Sequence, residues 1–426
     1  MARWIGCGGV NHPKLLRPVA SLIVLTGLNL LDYLDRQLLA AVLTPIKNEL
    51  GLSDGQLGVL QSAFMWGYFL TSPIFGFLAD RVPRRWLIAA GVFVWSIGTL
   101  MTGHVSALGA LIFFRVLVGL GEASFGTISP GWIADLFTGP RRNTAISIFY
   151  LAIPVGSALG YIVGSAIAAQ YGWRAAFLWA GYPGLLLAFV LFLLREPPRQ
   201  KDEAPAPTSG GWGAYFELLK QRGYVLVLAG YVAQTFAMGG FALWAPTFLH
   251  RVHHMEFEAA GRFFGLALVA TGLAATLIGG LAGTAWQRRS PGGYSSILVM
   301  SASITAPVAF AAFVLDQGTA ARVALVAAMF FMFLPTGPIN TLILETVPAA
   351  QRARAMAGSI FAIHAFGDLW SPWIVGRLSD RWGSLQSAVM ILPGALVVAA
   401  FFWGWLAVHQ RRGARQQKTI MSETIG

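Results

Sequence analysis

Charge is what this sequence has least of. Of its 426 residues only 11% are Asp, Glu, Lys or Arg, against 56% hydrophobic, and the mean hydropathy is +0.63. Soluble domains carry about 25% charged residues, so a soluble globular chain is excluded. Cysteine is nearly absent. Cys7 stands alone, which rules out an intrachain disulfide. No apolar stretch precedes Ile5-Gly6-Cys7, so it does not read as a lipoprotein cleavage site. The first apolar span is too long, and ends in too much charge, to be a cleavable signal peptide. The signatures of common hydrolases are missing as well: there is no Gly-x-Ser-x-Gly and no His-Glu-x-x-His. An intramembrane enzyme is therefore not expected, and neither is a metal or an organic cofactor.

What is present is apolar residues in blocks of membrane-span length. Twelve are counted, with limits near 18–43, 56–80, 86–103, 107–131, 142–168, 173–194, 223–249, 260–286, 294–315, 320–345, 355–379 and 384–409. Most of the 49 glycines and about half of the 21 prolines fall inside these blocks, where membrane helices tolerate them. The net charge of +12 would suit nucleic acid, but its distribution does not. With the N-terminus placed in the cytoplasm, 21 of the 30 Lys and Arg fall in inner loops and tails and seven outside: Lys47, Arg174, Arg251, Arg262, Arg322, Arg377 and Arg381. Arg36 and Arg115 lie within spans. The basic charge is therefore a topology signal, with both termini inside, and no nucleic-acid partner is expected.

The blocks divide six and six around residues 195–222. That linker opens as Arg195-Glu-Pro-Pro-Arg-Gln-Lys-Asp-Glu and continues proline-rich; Trp212 to Leu219 reads as a short surface helix. The expected organisation is a basic tail at 1–17, a six-helix bundle at 18–194, the cytoplasmic linker at 195–222, a second bundle at 223–409 and a polar, disordered cytoplasmic tail at 410–426.

The loop after the second span reads Gly76-Phe-Leu-Ala-Asp80-Arg81-Val-Pro-Arg84-Arg85. A glycine before the turn allows close helix approach. The aspartate can accept backbone N–H groups at a neighbouring helix N-terminus, and the arginines can form a charge network that holds one conformation. A degenerate copy, Gly279-Gly-Leu-Ala-Gly283 with Arg288-Arg289, follows the eighth span. A third, Gly376-Arg-Leu-Ser-Asp380-Arg381, follows the eleventh on the outside and breaks the positive-inside count. The first loop resembles the signature between helices 2 and 3 of the major facilitator superfamily, although Pro83 stands where that family usually has glycine. The resemblance implies an all-α membrane fold of twelve transmembrane helices in two pseudo-symmetric six-helix bundles, with alternating access to a cavity between them.

Two spans carry ionisable residues at depth, where they are costly and face a cavity or a partner. The first contains Asn29-Leu-Leu-Asp32-Tyr33-Leu-Asp35-Arg36. The fourth contains Arg115-Val-Leu-Val-Gly-Leu-Gly121-Glu122-Ala-Ser124, with Arg115 and Glu122 about two turns apart on one helix face. Counted from the assigned outer ends, Asp35 and Arg115 both sit ~12 Å deep, and Glu122 ~22 Å deep. Equal depth predicts an Asp35–Arg115 ion pair, with Asp32 three residues deeper as another partner. A buried carboxyl beside a movable arginine can exchange a proton when its neighbour moves, so Glu122 is the expected titrating group. Gly119-Leu-Gly121 half-matches a dinucleotide fingerprint but lacks the preceding strand and the third glycine.

Residues 115–124, Ala134-Asp-Leu-Phe137 and Ser147-Ile-Phe-Tyr150-Leu-Ala-Ile-Pro154-Val-Gly156-Ser-Ala-Leu-Gly160-Tyr161 resemble the Spinster family within the major facilitators. The match is dense over 28–175 and looser beyond, where His364-x-x-x-Asp368 and Ser371-Pro372 are similar to that family's helix 11. The resemblance implies transport of amphiphilic lipids such as lysophospholipids or sphingosine-1-phosphate, with proton coupling proposed. Carried over residue by residue, Asp35, Arg115 and Glu122 would be the coupling residues. At Asp32 the family carries asparagine, which favours Asp35 as the functional acid.

Other candidates follow from position. Asp135, at the inner end of the fourth span, reads either as a partner of Arg81 or Arg85 that closes the inner side or as a plain surface charge. Together with Gly76, Asp80, Arg81, Arg84 and Arg85 it makes a candidate conformational gate. Asp32, Tyr68, Tyr150, Tyr231, Trp244, Phe361, His364 and Asp368 are candidate cavity residues. The cluster His250, His253, His254 and Glu256 reads as a solvated outer loop. Pro154 to Gly160 should kink and thin the fifth helix, either for close packing against another helix or as a hinge. The expected protein is a monomeric, proton-coupled secondary transporter in the plasma membrane that moves an amphiphilic lipid among its membrane lipids. The alternative is a carrier of a small organic anion or drug.

Overall fold

The structure, a computed structural model, describes residues 13–194, 196–197 and 213–425. Cys7 and the proline-rich stretch at 198–212 lie outside the described residues. Bilayer hydrocarbon offers no partner to an open backbone group, so apolar spans of this length must be helical, and they are. The helices are α1 (Pro13–Ala41), α2 (Asp54–Ala79), α3 (Arg84–Thr102), α4 (Leu108–Leu136), α5 (Pro140–Tyr171) and α6 (Trp173–Leu193), then α7 (Arg222–Arg251), α8 (Phe257–Arg289) and α9 (Gly293–Val314). Then come α10 (Thr319–Phe333 with Thr336–Glu345), α11 (Arg352–Ile363 and Ser371–Trp382) and α12 (Ile391–Ile425). Short helices at Leu43–Leu50 and Gly213–Leu218 lie between spans, the second of them in the expected linker.

Among the described residues eleven helices are long and apolar enough to cross a membrane. The twelfth crossing, α11, is not the continuous helix expected over 355–379. A π-turn at His364–Asp368 interrupts it, and such turns recur at functional sites. The 410–426 stretch also departs from expectation, because the α12 helix continues to Ile425. Extending a formed helix needs no new nucleus, and Arg, Gln, Lys and Ala are good helix formers.

Within the first half the closest pairings are α2–α4, α1–α5, α3–α4 and α3–α6; in the second they are α7–α12, α9–α12 and α9–α10. Small residues set several of these distances. A Cβ at Gly119 would lie 2.1 Å from the Phe64 carbonyl oxygen, and one at Gly156 or Gly160 2.4 or 2.5 Å from the carbonyls of Leu30 or Leu34. The thinned face of α5 thus packs on α1.

The end carrying the α1–α2 and α7–α8 connections is called outer, following the charge-based orientation. There the halves meet through α5–α8 and α2–α11 and share one apolar core, in which Leu57 and Tyr161 join Trp244, Phe264 and Val375. Toward the inner end each half has its own core: one around Trp95, Phe125 and Trp132, the other around Tyr224, Ile339 and Trp403. The bundles are closed together outside and parted inside.

Candidate functional site

The centre of the site is on α1 and α4. Asp32 and Arg36 are one helical turn apart, so they share a face, and the Arg36 Nη2 lies 3.3 Å from Asp32 Oδ2. The Arg36 Nε donates to Glu122 Oε2 at 2.8 Å. The two carboxyls are buried, with side chains 2% and 0% exposed, while the Arg36 side chain is 17% exposed. The other oxygens of the two carboxyls, Asp32 Oδ1 and Glu122 Oε1, are buried without a hydrogen-bond partner. Tyr33, Tyr68 and Phe64 present their rings to the Arg36 guanidinium at 4.6, 4.7 and 5.4 Å, within cation–π range.

Asp35 and Arg115 are buried but do not form the expected ion pair. Asp35 Oδ2 accepts from the Thr99 hydroxyl of α3 at 2.5 Å. Arg115 Nη2 donates to Gln61 Oε1 at 3.4 Å and lies over the Phe64 ring at 4.9 Å. Equal depth does not make contact: successive residues are rotated by about 100° around a helix, and Asp35 is turned toward α3. Phe64 stands between the two guanidiniums. Arg36, not Arg115, is therefore the partner of Glu122, and Asp32 belongs to this ionic cluster rather than to an uncharged cavity wall. Depth alone does not single out Arg36; its i, i+4 spacing from Asp32 is the sequence signal for it.

The remaining candidates separate. Tyr150 and Phe361 are 46% and 50% exposed toward the parted inner half, and Phe361 packs on Phe69 of α2 at 4.8 Å. His364 Nδ1 lies 3.0 Å from both Asp368 oxygens across the π-turn, and Tyr231 is within electrostatic reach of Asp368. Trp244 is a packing residue: it is fully buried and donates to the Pro372 carbonyl at 2.9 Å. At the inner loop, Asp135 pairs with Arg84 at 2.5 Å rather than with Arg81 or Arg85. Arg81 instead bonds its own helix at the Phe77 carbonyl, 3.0 Å away, Arg85 donates its backbone N–H to Glu196, and Asp80 caps α2. Gly76 is not at a tight crossing, since a Cβ there would meet only Thr127 at 3.9 Å; with the inner ends apart, nothing presses on it. Of the outer histidines, His253 is buried, not solvated, and burial holds its imidazole below the usual range.

A second ionic cluster closes the outer end. Asp54, buried at the start of α2, takes Lys47 Nζ at 2.6 Å, Arg251 Nη2 at 2.9 Å and the Ser379 hydroxyl at 2.6 Å. Asp380 accepts the backbone N–H groups of Asp54 and Gly55, each at 2.8 Å, a carboxylate on a helix N-terminus. These bonds tie α2 of the first bundle to α7 and α11 of the second. The third copy of the Gly-x-Leu-x-Asp-Arg pattern supplies half of this latch.

The major facilitator superfamily model matches residues 25–372. Protein spinster of Drosophila melanogaster is 33% identical over 373 residues, which cover 84% of this chain and 61% of the fly protein, less than two thirds of its length. Protein spinster homolog 1 of Mus musculus is 33% identical over 414 residues, 89% of this chain and 77% of the mouse protein. The occupied, inward-facing crystal structure of a bacterial homolog to the human lysosomal transporter Spinster superposes with a TM-score of 0.83 at 23% identity, covering 95% of this chain and 98% of that one. A D-xylose–proton symporter superposes with 0.74 at 18% identity, covering 90% and 97%. The helical arrangement and the matched sequence agree: this chain is a multi-pass membrane transporter that belongs to the major facilitator superfamily and, within it, to the Spinster family.

Proposed function

We propose that the chain is a proton-coupled secondary transporter of an amphiphilic lipid with an anionic head, such as a lysophospholipid or a sphingosine-1-phosphate-like molecule, working by alternating access with both termini in the cytoplasm. The observation that carries the coupling is the contact of Asp32 and Glu122 with a single Arg36. Two carboxyls side by side cannot both stay charged without cost. Counted together, the buried carboxyls Asp32, Asp35 and Glu122 outnumber the guanidiniums Arg36 and Arg115 by one, so one bound proton makes the buried group neutral.

The exchange is local. With Glu122 ionised, Arg36 is held between it and Asp32. A proton on Glu122 weakens that bond and leaves Arg36, the one partly exposed member of the cluster, free to meet an anionic head. An apolar tail could pack on the aromatic cluster between the bundles, where Phe69 and Trp66 of α2 meet Phe361 and Trp370 of α11. The latch at Asp54 and Asp380 holds the outer end while the inner end is open, and the Gly76–Arg85 loop is positioned to close the inner end in the opposite state.

The test is uptake of a lysophospholipid into proteoliposomes with and without an imposed pH gradient. The native protein is expected to respond to the gradient, and Glu122→Gln to transport without responding. A gradient response that survives in Glu122→Gln removes Glu122 from coupling. Competition by a soluble organic anion, with no lysolipid uptake, would favour the small-anion carrier instead.

A further inference from the structure

On the flank of the second bundle, at the outer end of α8 and α10, lies a cleft of about 640 Å³ lined by His253, His254, Arg262, Phe263, Gln317 and Arg322 among others, with no carboxylate in its wall. Both arginines are exposed. Glu256 is within electrostatic reach of Arg262, but its carboxylate is already engaged by the N–H groups of Glu258 and Ala259 at 2.9 and 2.7 Å. Asp316 is within reach of His253. The cleft nonetheless presents two guanidiniums where the positive-inside rule disfavours them.

A second cleft of about 620 Å³ shares Phe263 and Arg322 with the first and continues along Thr271, Val326, Phe330 and Phe331. From Arg322 to Phe331 the helix rises about 13 Å, which reaches close to the middle of a hydrocarbon layer ~30 Å thick. Leu266 and Val323 beside it are 55% and 61% exposed, as bilayer-facing residues are. One basic cleft at the membrane surface thus opens into one apolar groove along the membrane interior.

Two further observations mark the basic cleft as built for an occupant. His253 borders it, is only 6% exposed, and its Nε2 has no hydrogen-bond partner; buried polar atoms are normally satisfied. His254 has a φ of 51° and is the one non-glycine residue with positive φ among the described residues, a conformation that costs energy and clusters at ligand sites.

We infer that the joined clefts are a binding site for an anionic phospholipid of the leaflet at the outer end, separate from the central cavity. The phosphate lies between Arg262 and Arg322, and the acyl chain follows Phe263 to Phe331. Charge complementarity and the continuity of the groove select a lipid over a soluble anion. The site is on the second bundle, so it stands whether or not the reading of the Arg36 cluster does.

Native mass spectrometry of the full chain in detergent, with phosphatidylglycerol, phosphatidylcholine or glycerol 1-phosphate added stepwise, tests it. The native protein should retain one phosphatidylglycerol at lipid ratios where phosphatidylcholine is lost. The R262A/R322A double variant should lower that retention at least fivefold with an unchanged melting temperature, because both side chains are exposed. Ala327→Trp, which fills the groove, should lower retention of both lipids. Undiminished phosphatidylglycerol retention in the double variant overturns the site. So does retention of glycerol 1-phosphate as strong as that of the lipid, which would make it a soluble-anion site.

Discussion

Arg36 of α1 and Glu122 of α4, 86 residues apart in the chain, are joined by a 2.8 Å hydrogen bond, and the same guanidinium reaches Asp32 at 3.3 Å. Removing the cation leaves two buried carboxyls facing each other. Breaking a buried pair in this way costs about 3–5 kcal/mol, so Arg36→Ala should melt well below the native protein in detergent. Arg36→Ala combined with Asp32→Asn should recover part of the loss, because the repulsion is gone. An Arg36→Ala protein as stable as the native one would show that the cluster does not depend on this cation.

How far the sequence carried this picture depends on which geometry it encodes. The helices and the division into halves follow from apolar blocks alone, and Arg115 and Glu122 stand out because charge is rare in such blocks. Depth is also readable, as 1.5 Å per residue. Rotation is not. Asp32 and Asp35 differ by three residues in depth and by about 60° in direction, enough to send one to Arg36 and Glu122 and the other to Thr99. The π-turn in α11 is not legible either: it falls where Gly367 packs against α7, a contact between helices, with a Cβ there 3.2 Å from Phe236 N. The latch was legible only as an anomaly, two arginines on the wrong side of the membrane beside Gly376 and Asp380.

The separation of the two guanidiniums predicts separable effects. Asp35 takes the Thr99 hydroxyl rather than Arg36. Thr99→Val deletes that bond while keeping the shape, at a cost of about 1.5–3 kcal/mol for a hydrogen bond to a charged group. It should lower the melting temperature yet leave the pH-gradient response of transport in place, whereas Glu122→Gln should do the reverse. Loss of the gradient response in Thr99→Val would move the coupling site to Asp35.

Glycines at α2 and α4 should not respond alike. A Cβ at Gly119 would stand 2.1 Å from a backbone oxygen of Phe64, which cannot swing aside as a side chain can. Gly119→Ala should destabilise by about 1–3 kcal/mol through overpacking. Gly76→Ala meets only a methyl group at 3.9 Å and should fold with native stability. If the Gly76 loop closes the inner end in the other state, Gly76→Ala should still slow transport. Thermal unfolding and uptake, measured on both variants, separate the two effects.

At the outer loop, Glu256 caps α8, and the N–H groups of Glu258 and Ala259 hold its carboxyl below the ordinary glutamate range. A group with a lowered folded pKa stabilises the fold above its unfolded pKa, about 4.3, and that contribution is lost as pH falls through the folded value. The melting difference between the native protein and Glu256→Ala should therefore be constant from neutral pH to about 5.5 and shrink below about 4.3. A difference that grows on acidification would contradict the capping assignment.

The outer latch makes the last prediction. Asp380 receives two N–H groups of α2, and Asp54 gathers Lys47, Arg251 and Ser379, so the charges of one bundle are satisfied by the other. Asp380→Asn leaves one acceptor oxygen and removes the charge from the α2 N-terminus, a contribution of about 0.3–1 kcal/mol or more when partly buried. Because the outward and inward states of a transporter differ by only a few kcal/mol, this is enough to populate the state with the outer end open. Ser62 is buried between the bundles, its hydroxyl on the Leu369 carbonyl at 2.6 Å, and is a suitable reporter. A cysteine placed there by Ser62→Cys, in a Cys7→Ser background, should react slowly with a membrane-impermeant thiol reagent applied from the outer side. Adding Asp380→Asn should raise the rate several-fold, and Arg251→Ala should do the same by stranding Asp54. Equal labelling rates in all three proteins would mean that the apolar core around Trp244 and Phe264, and not the latch, holds the outer end shut.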